Sequence, residues 1–279
     1  MHIVGRNGEY DGKLSPTIRQ AMKKAFPTLT EDALSIIGEI DNWFNRTKQN
    51  AKTMKLVGED GKVDWSKGYY FHKVSDNITE EVIDSICENG ILPIERFGTP
   101  EVGHEMRFCV GVTRCDDIEH GTEQQKRYLY NNKGQKTNTF DKIMSVIGGV
   151  SLIIDPSIVE NGTIDYFEYV RTGKCDDKKM KYVLDTLFKE VSPEADKMVN
   201  GDYRESYEKF HWGAIAGGVP PEYIVGVFFD RKDPNLDPAE IEKRFEIAKR
   251  FASTLNVPIV TEDGVVHEPK SSKREHANE

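Results

Sequence analysis

His72 lies inside the apolar run "YYFHKVS", and an imidazole in such a strand must find a hydrogen-bond partner or cost stability. Either a nearby backbone carbonyl supplies that partner, which makes His72 a core histidine, or a bound ligand does. Arg114 closes a second apolar run, "RFCVGVTR", with Thr113 before it and Asp116 and Asp117 after it. An exposed ion pair with those aspartates would contribute little. Glu205, Glu208 and His211 gather in "GDYRESYEKFHW", where Arg204 and Glu208 also have the i,i+4 spacing of a solvent-facing helical pair worth roughly a few tenths of a kcal/mol. His104, Cys109, Cys115 and His120 share one stretch but lack the close CxxC or HxxxH pairs of a zinc site, so no metal is expected there. The four cysteines are too scattered for a disulfide framework and are expected reduced.

The elements that must position these groups fall into two textures. Ser15 and Pro16 open a helix over 15–26, and Thr30 opens a second over 30–51 with Leu34, Ile37, Ile40, Trp43 and Phe44 on one stripe. A turn at Asp60-Gly61 leads to an expected boundary near residue 66, giving a helical appendage over 1–66. From 67 onwards short apolar strands alternate with turns. "YYFHKVS" and "RFCVGVTR" read as strands, and "NITEEVIDSICENG" reads as a helix ended by Gly90. "GGVSLIIDP" and "PPEYIVGVFFD" are apolar enough to be buried on both faces. "KKMKYVLDTLFKEV" and the capped "DPAEIEKRFEIAKRFASTLN" read as helices, and "VPIVTEDGVV" as a closing hairpin. The main domain is expected over 67–267, and the polar tail 268–279 is expected to be disordered.

With 37% hydrophobic and 30% charged residues the chain has a globular composition. No apolar run approaches the roughly 18 residues of a membrane helix, and no membrane partner is expected. The opening "MHIVGRNGEYDGK" lacks a secretory pattern, so a cytoplasmic location, or delivery into a host cytosol, is expected. The net charge of −9 is uneven: residues 1–66 carry ten Lys/Arg and nine Asp/Glu, which leaves −10 on the remainder. An acidic main domain argues against a broad basic face, though not against a small basic pocket.

Taken in order, His72 in "YFHKVS", Gly90-Ile91-Leu92-Pro93, Thr113-Arg114, Asp155-Pro156 in "LIIDP" and Pro220 to Val227 resemble the ADP-ribosyltransferase-like fold. The likeness is to the DarT-type DNA ADP-ribosyltransferases and the KptA-type RNA 2′-phosphotransferases, and it covers about residues 68–266. It implies an α+β fold of curved, split antiparallel sheets with NAD+, as substrate, held in the cleft. It further implies that His72 contacts a ribose, that Arg114 pairs bidentately with the diphosphate, and that Thr113 and Tyr128 belong to the same NAD+-binding set. Active members carry a glutamate at the front of a late strand; here His211 and Trp212 stand at the most literal position. Glu208, then Glu205, are the candidate acids, reaching the cleft if "AIAGG" forms a longer loop, and His211 is a third candidate.

The resemblance thus implies a mono-ADP-ribosyltransferase-like enzyme of toxin, effector or defence type, acting on a protein or nucleic-acid acceptor. An RNA 2′-phosphotransferase is the second enzymatic expectation, disfavoured by the acidic charge of the main domain. A catalytically inactive module that binds NAD+ or a partner is the third.

Overall fold

The computed structural model describes residues 43–52, 55–64, 67–93, 109–114, 149–165, 169, 174–175, 181, 212–230, 237–261 and 264–267. Within them the chain is a mixed α+β structure built on one seven-stranded sheet. The strands are β1 (Tyr70–Lys73), β2 (Cys109–Arg114), β3 (Val150–Ile154), β4 (Trp212–Ala216), β5 (Ile224–Phe229), β6 (Ile259–Thr261) and β7 (Gly264–His267), in the spatial order β4-β2-β1-β3-β5-β6-β7. All neighbours are antiparallel except β5 and β6. That parallel step needs a crossover, which the helix α3 (Pro238–Leu255) supplies.

Every residue of β3 and β5 is buried, as expected of continuous apolar strands covered on both sides. On one face α3 and the helix α1 (Glu80–Asn89) bring Phe251, Ala248, Ala252 and Ile83 against Leu152, Ile154, Val227 and Phe229. Salt bridges Arg250–Asp84 at 2.9 Å and Arg244–Asp76 at 2.7 Å border that packing. The α3 sequence carries its own start and stop. Asp237 Oδ1 accepts from the amides of Ala239 and Glu240, Pro238 takes the first position, and Asn256 ends the helix in the left-handed region at φ 56°.

Gly90 ends α1 with φ 81°, and a Cβ there would collide with the Val219 carbonyl. That close approach lets Ile91 and Val219 exchange two backbone hydrogen bonds of 2.8 Å. The Gly-Ile-Leu-Pro exit therefore fastens α1 to the connection between β4 and β5.

The opposite face holds a second cluster of Leu56, Tyr69, Phe71, Ile153, Val225, Phe228 and Val260, in which Phe71 and Phe228 meet edge to face with centroids 5.8 Å apart. Leu56 fits because Gly226 has no side chain; a Cβ there would strike its Cδ2. Before it, residues 43–49 are helical, with Trp43 and Phe44 buried. Tyr223 donates its hydroxyl to the Thr47 carbonyl at 3.1 Å. The boundary expected near residue 66 thus falls between residues that share one cluster. The helices expected over 15–26 and 178–191, the first part of 30–51 and the tail 268–279 lie outside the described residues, apart from the single helical residue Lys181. Among the described residues no helix is long and apolar enough to cross a membrane.

If Leu56 is a plug in the core of the sheet and not part of a detachable appendage, Leu56→Ala should cost about 2–5 kcal/mol. Urea unfolding of the full chain reads this as a lowered midpoint in a single transition. A separate early transition would mean that 43–64 folds on its own account.

Candidate functional site

The site is built around the junction of β1 and β2. Their ladder runs only from Tyr70–Arg114 to Phe71–Thr113, whereas β1 and β3 stay paired from Tyr70–Ile154 to Lys73–Ser151. At the next residue of β1, His72 Nδ1 lies 2.9 Å from the Gly111 carbonyl oxygen. A carbonyl only accepts, so Nδ1 carries the hydrogen and Nε2 of the neutral ring holds a lone pair. The imidazole thus spans the seam where the backbone ladder stops. Among the described residues Nε2 has no partner. Burial pushes the His72 pKa down, opposed by the bond to Gly111, which favours the protonated ring. His72 therefore has a backbone partner for one nitrogen already, as a core histidine does, and only its second nitrogen faces the choice of water or ligand.

The other candidates fall out as follows. Thr113 is buried and pairs with Phe71 on one side and Trp212 on the other. Paired residues share a sheet face and successive residues alternate, so Thr113 lies on the Phe71 face and His72 on the opposite one. The fold does not bring these two together. Arg114 is the last residue of β2 and its backbone pairs with Tyr70; its side chain lies outside the described residues, as do Tyr128, Glu205, Glu208 and His211. Of the four residues weighed for zinc, only Cys109 is described, buried in β2.

The longer loop at "AIAGG", the condition set for Glu208 or Glu205 to reach the cleft, is not what forms. Residues 212–216 form β4, paired to β2 from Thr113–Trp212 to Cys109–Ala216, and only Gly217 and Gly218, with φ 80° and 112°, turn the chain towards Val219. Pairing with β2 overrides the weak strand propensity of two alanines and a glycine. The segment holding Glu205, Glu208 and His211 consequently joins the sheet at Trp212, beside the end of β2.

Sequence reasoning missed one carboxylate. Asp165 is buried, accepts from the Ala214 amide at 3.1 Å through Oδ1, and accepts from the Tyr70 hydroxyl at 3.3 Å through Oδ2. It makes a bridge with Ile215 and so borders β4. Gly213 gives it room, since a Cβ there would stand 2.7 Å from Oδ2. Tyr70 and His72 are two residues apart on β1, so the phenol that bonds Asp165 lies on the same sheet face as the imidazole. The only trace in the sequence is a glycine in "HWGAIA", too weak to point to a residue 48 positions earlier in the chain.

Asp155, from the "LIIDP" motif, takes a local role. Its Oδ1 accepts from the Ser157 amide at 2.8 Å at the start of the short helix α2 (Ser157–Glu160). Its Oδ2 is buried and has no hydrogen-bond partner among the described residues. Burial first, then the charges of Asp155 and Asp64, push the Tyr69 phenol up to about 12, so Tyr69 stays neutral at physiological pH. The chain matches no protein-family model, no curated protein and no solved structure.

The lowered His72 pKa fixes a pH dependence. Below about 6.5, the value of an unperturbed histidine, the unfolded chain binds a proton that folded His72 refuses, so stability present above that pH falls as the pH drops. In His72→Asn, whose carboxamide can still donate to Gly111, this portion should vanish. Denaturant midpoints from pH 7.5 to 5 should fall less steeply for the variant than for the parent; parallel curves would remove His72 from the account.

Proposed function

We propose that the chain is a mono-ADP-ribosyltransferase-like enzyme that transfers ADP-ribose from NAD+ to a macromolecular acceptor. The observation carrying the proposal is the β1–β2 seam, where the ladder stops after Phe71–Thr113 and His72 reaches across to Gly111 while keeping one lone pair available. A ribose hydroxyl is the complementary donor for Nε2. Further support comes from adjacency. The strand with His72 pairs on one side with the strand ending in Arg114 and on the other with the strand leading to Asp155, while β4 brings its first residue beside Thr113.

In the proposed reaction the C1′–N bond of NAD+ breaks with its electron pair going to the ring nitrogen, and nicotinamide leaves uncharged. The acceptor's lone pair attacks C1′ through an oxocarbenium-like transition state. The acceptor's proton passes to Glu208 or His211, with Glu205 the more distant candidate, and Arg114 pairs with the diphosphate. His72 positions a ribose hydroxyl. A second reading, NAD+ binding without transfer, is favoured by one observation: β4 begins at Trp212, so the residue directly before it is His211 and not a carboxylate.

Thermal and chemical denaturation with NAD+ tests both. NAD+ at about 100 times its dissociation constant should add about 2.7 kcal/mol, and His72→Asn, which lacks the Nε2 acceptor, should bind roughly two- to tenfold more weakly. Release of nicotinamide from labelled NAD+ in cell extract, reduced in Glu208→Gln or His211→Ala, supports transfer. Stabilisation without release supports the binding reading, and no stabilisation at millimolar NAD+ removes both.

A further inference from the structure

Three segments distant in the sequence meet around the buried Tyr223 ring. The Asp155 amide donates to the Tyr223 carbonyl at 2.9 Å, and the Tyr223 hydroxyl donates to the Thr47 carbonyl at 3.1 Å. Thr47 also stands over the turn after α2, since a Cβ on Gly162 would lie 3.4 Å from its Oγ1. Burial first, with a bond to the Asn161 side chain opposing it, and then the negative charges of Asp155 and Glu222 push the Tyr223 phenol up. Both carboxylates are therefore within electrostatic reach of that ring.

The polar atoms buried by this packing do not satisfy one another. Asp155 Oδ2, Ser157 Oγ and Thr47 Oγ1 are buried without a hydrogen-bond partner among the described residues, and Asp155 and Thr47 are each only 1% exposed. Asp155 Oδ1 accepts from the Ser157 amide at 2.8 Å, a neutral contact that does not balance a charge. Asp76, which also has one buried oxygen without a bond, faces the Arg244 guanidinium at 2.7 Å through the other. Asp155 has no such counter-charge among the described residues, and Lys48, next to Thr47, is drawn instead to Glu222 at 3.7 Å. An unpaired charge and two unbonded hydroxyls in one buried place are costly, and a bound ion or water is the usual reason they persist.

The chemistry of the set decides which. Its free atoms are all oxygen, with no sulfur or imidazole, and such ligands select hard cations. Among the described residues no three His, Cys, Asp or Glu side chains come together as a metal site, so the negative charge is too small for a calcium cage or a zinc centre and suits a singly charged ion. A water would satisfy the hydroxyls and leave the charge of Asp155 uncompensated. We propose that Asp155, Ser157 and Thr47 hold a monovalent alkali cation, sodium or potassium, with Asp155 Oδ2 as the charged ligand and the two hydroxyl oxygens as neutral ones. The ion ties residues 43–52 to the end of β3, the strand that pairs with β1. Its binding does not depend on the NAD+ reading above.

Urea unfolding of the full chain, without NAD+, is followed in sodium, potassium or choline chloride at equal ionic strength up to about 100 mM, which holds screening constant. Choline is too large for oxygen ligands to enclose. The midpoint in sodium or potassium chloride should exceed that in choline chloride, and the gain should saturate with salt. At about ten times the dissociation constant the folded-to-unfolded ratio rises about tenfold, and the salt with the larger gain identifies the ion. Asp155→Asn, whose carboxamide oxygen can still accept from Ser157, should lose the difference between salts. In choline chloride it should be at least as stable as the parent, because a buried unpaired charge is gone. Thr47→Val keeps the carbonyl that Tyr223 bonds and should need severalfold more salt for the same gain. Equal midpoints of the unaltered chain in all three salts, the result a bound water gives, would overturn the proposal. So would a salt preference that survives in Asp155→Asn. The unaltered chain supplies the first comparison, so a variant that fails to fold leaves the test intact.

Discussion

The hydrogen bond from His72 to the Gly111 carbonyl extends the short β1–β2 contact within one continuous sheet. On one side β1 is fully engaged with β3 and, through it, with the buried β5. On the other, β2 is fully engaged with β4. Along β1 and β2 the ladder covers two residue pairs, the His72 imidazole adds a bond to Gly111, and Tyr70 packs in one apolar cluster with Val110 and Val112. A backbone amide in that place would have continued the ladder and left nothing to spare. A histidine satisfies the carbonyl with one nitrogen and keeps the other, at the cost of a ring whose charged form is disfavoured by burial. The free nitrogen of the neutral ring is an acceptor on the sheet face that also carries Tyr70.

Close approaches made possible by glycine hold the surroundings of that seam. Gly213 admits Asp165 beside Tyr70, Gly226 admits Leu56 from the preceding segment, and Gly90 lets the end of α1 exchange backbone bonds with Val219. In each case a missing Cβ converts a collision into a contact between parts of the chain distant in sequence. The result is over-determined: β1 is gripped by an apolar cluster on each face, by β3 along one edge and by Tyr70–Asp165 at its start. This order around a seam with a short ladder is what allows one side chain to be held there with a defined orientation.

What could be read from residue order divides by the distance over which the deciding interaction acts. The strands β3 and β5, the Asp237-Pro238 start of α3, the Gly90 stop of α1 and the β6–β7 hairpin depend on neighbours within a few positions, and all were legible. Strand β4 was not, because "WGAIA" becomes a strand only through β2, about a hundred residues earlier. The partner of His72 was left open between a carbonyl and a ligand for the same reason, Gly111 being 39 residues away. Asp165 had no local signal at all. The boundary near residue 66 followed turn chemistry at Asp60-Gly61, which marks a tight bridge between Val57 and Val63 within the described body.

The charge state of His72 bears on the chemistry proposed for it. Departure of nicotinamide from NAD+ puts positive charge on the ribose ring, and an imidazolium nearby would oppose it. Burial resolves that conflict before any ligand arrives: the ring is held neutral, its hydrogen is committed to Gly111, and the remaining nitrogen can only accept. Such a group orients a hydroxyl without adding a cation, so negative charge for the transition state must come from elsewhere. Asp165 has both oxygens engaged, one by the Ala214 amide and the other by the Tyr70 hydroxyl. It therefore acts on the seam by fixing Tyr70. Under the proposed reaction the segment entering at Trp212 would bring the reacting carboxylate or imidazole, so the identity of the residue in front of β4, and not the geometry of β1, separates the transfer proposal from the binding one.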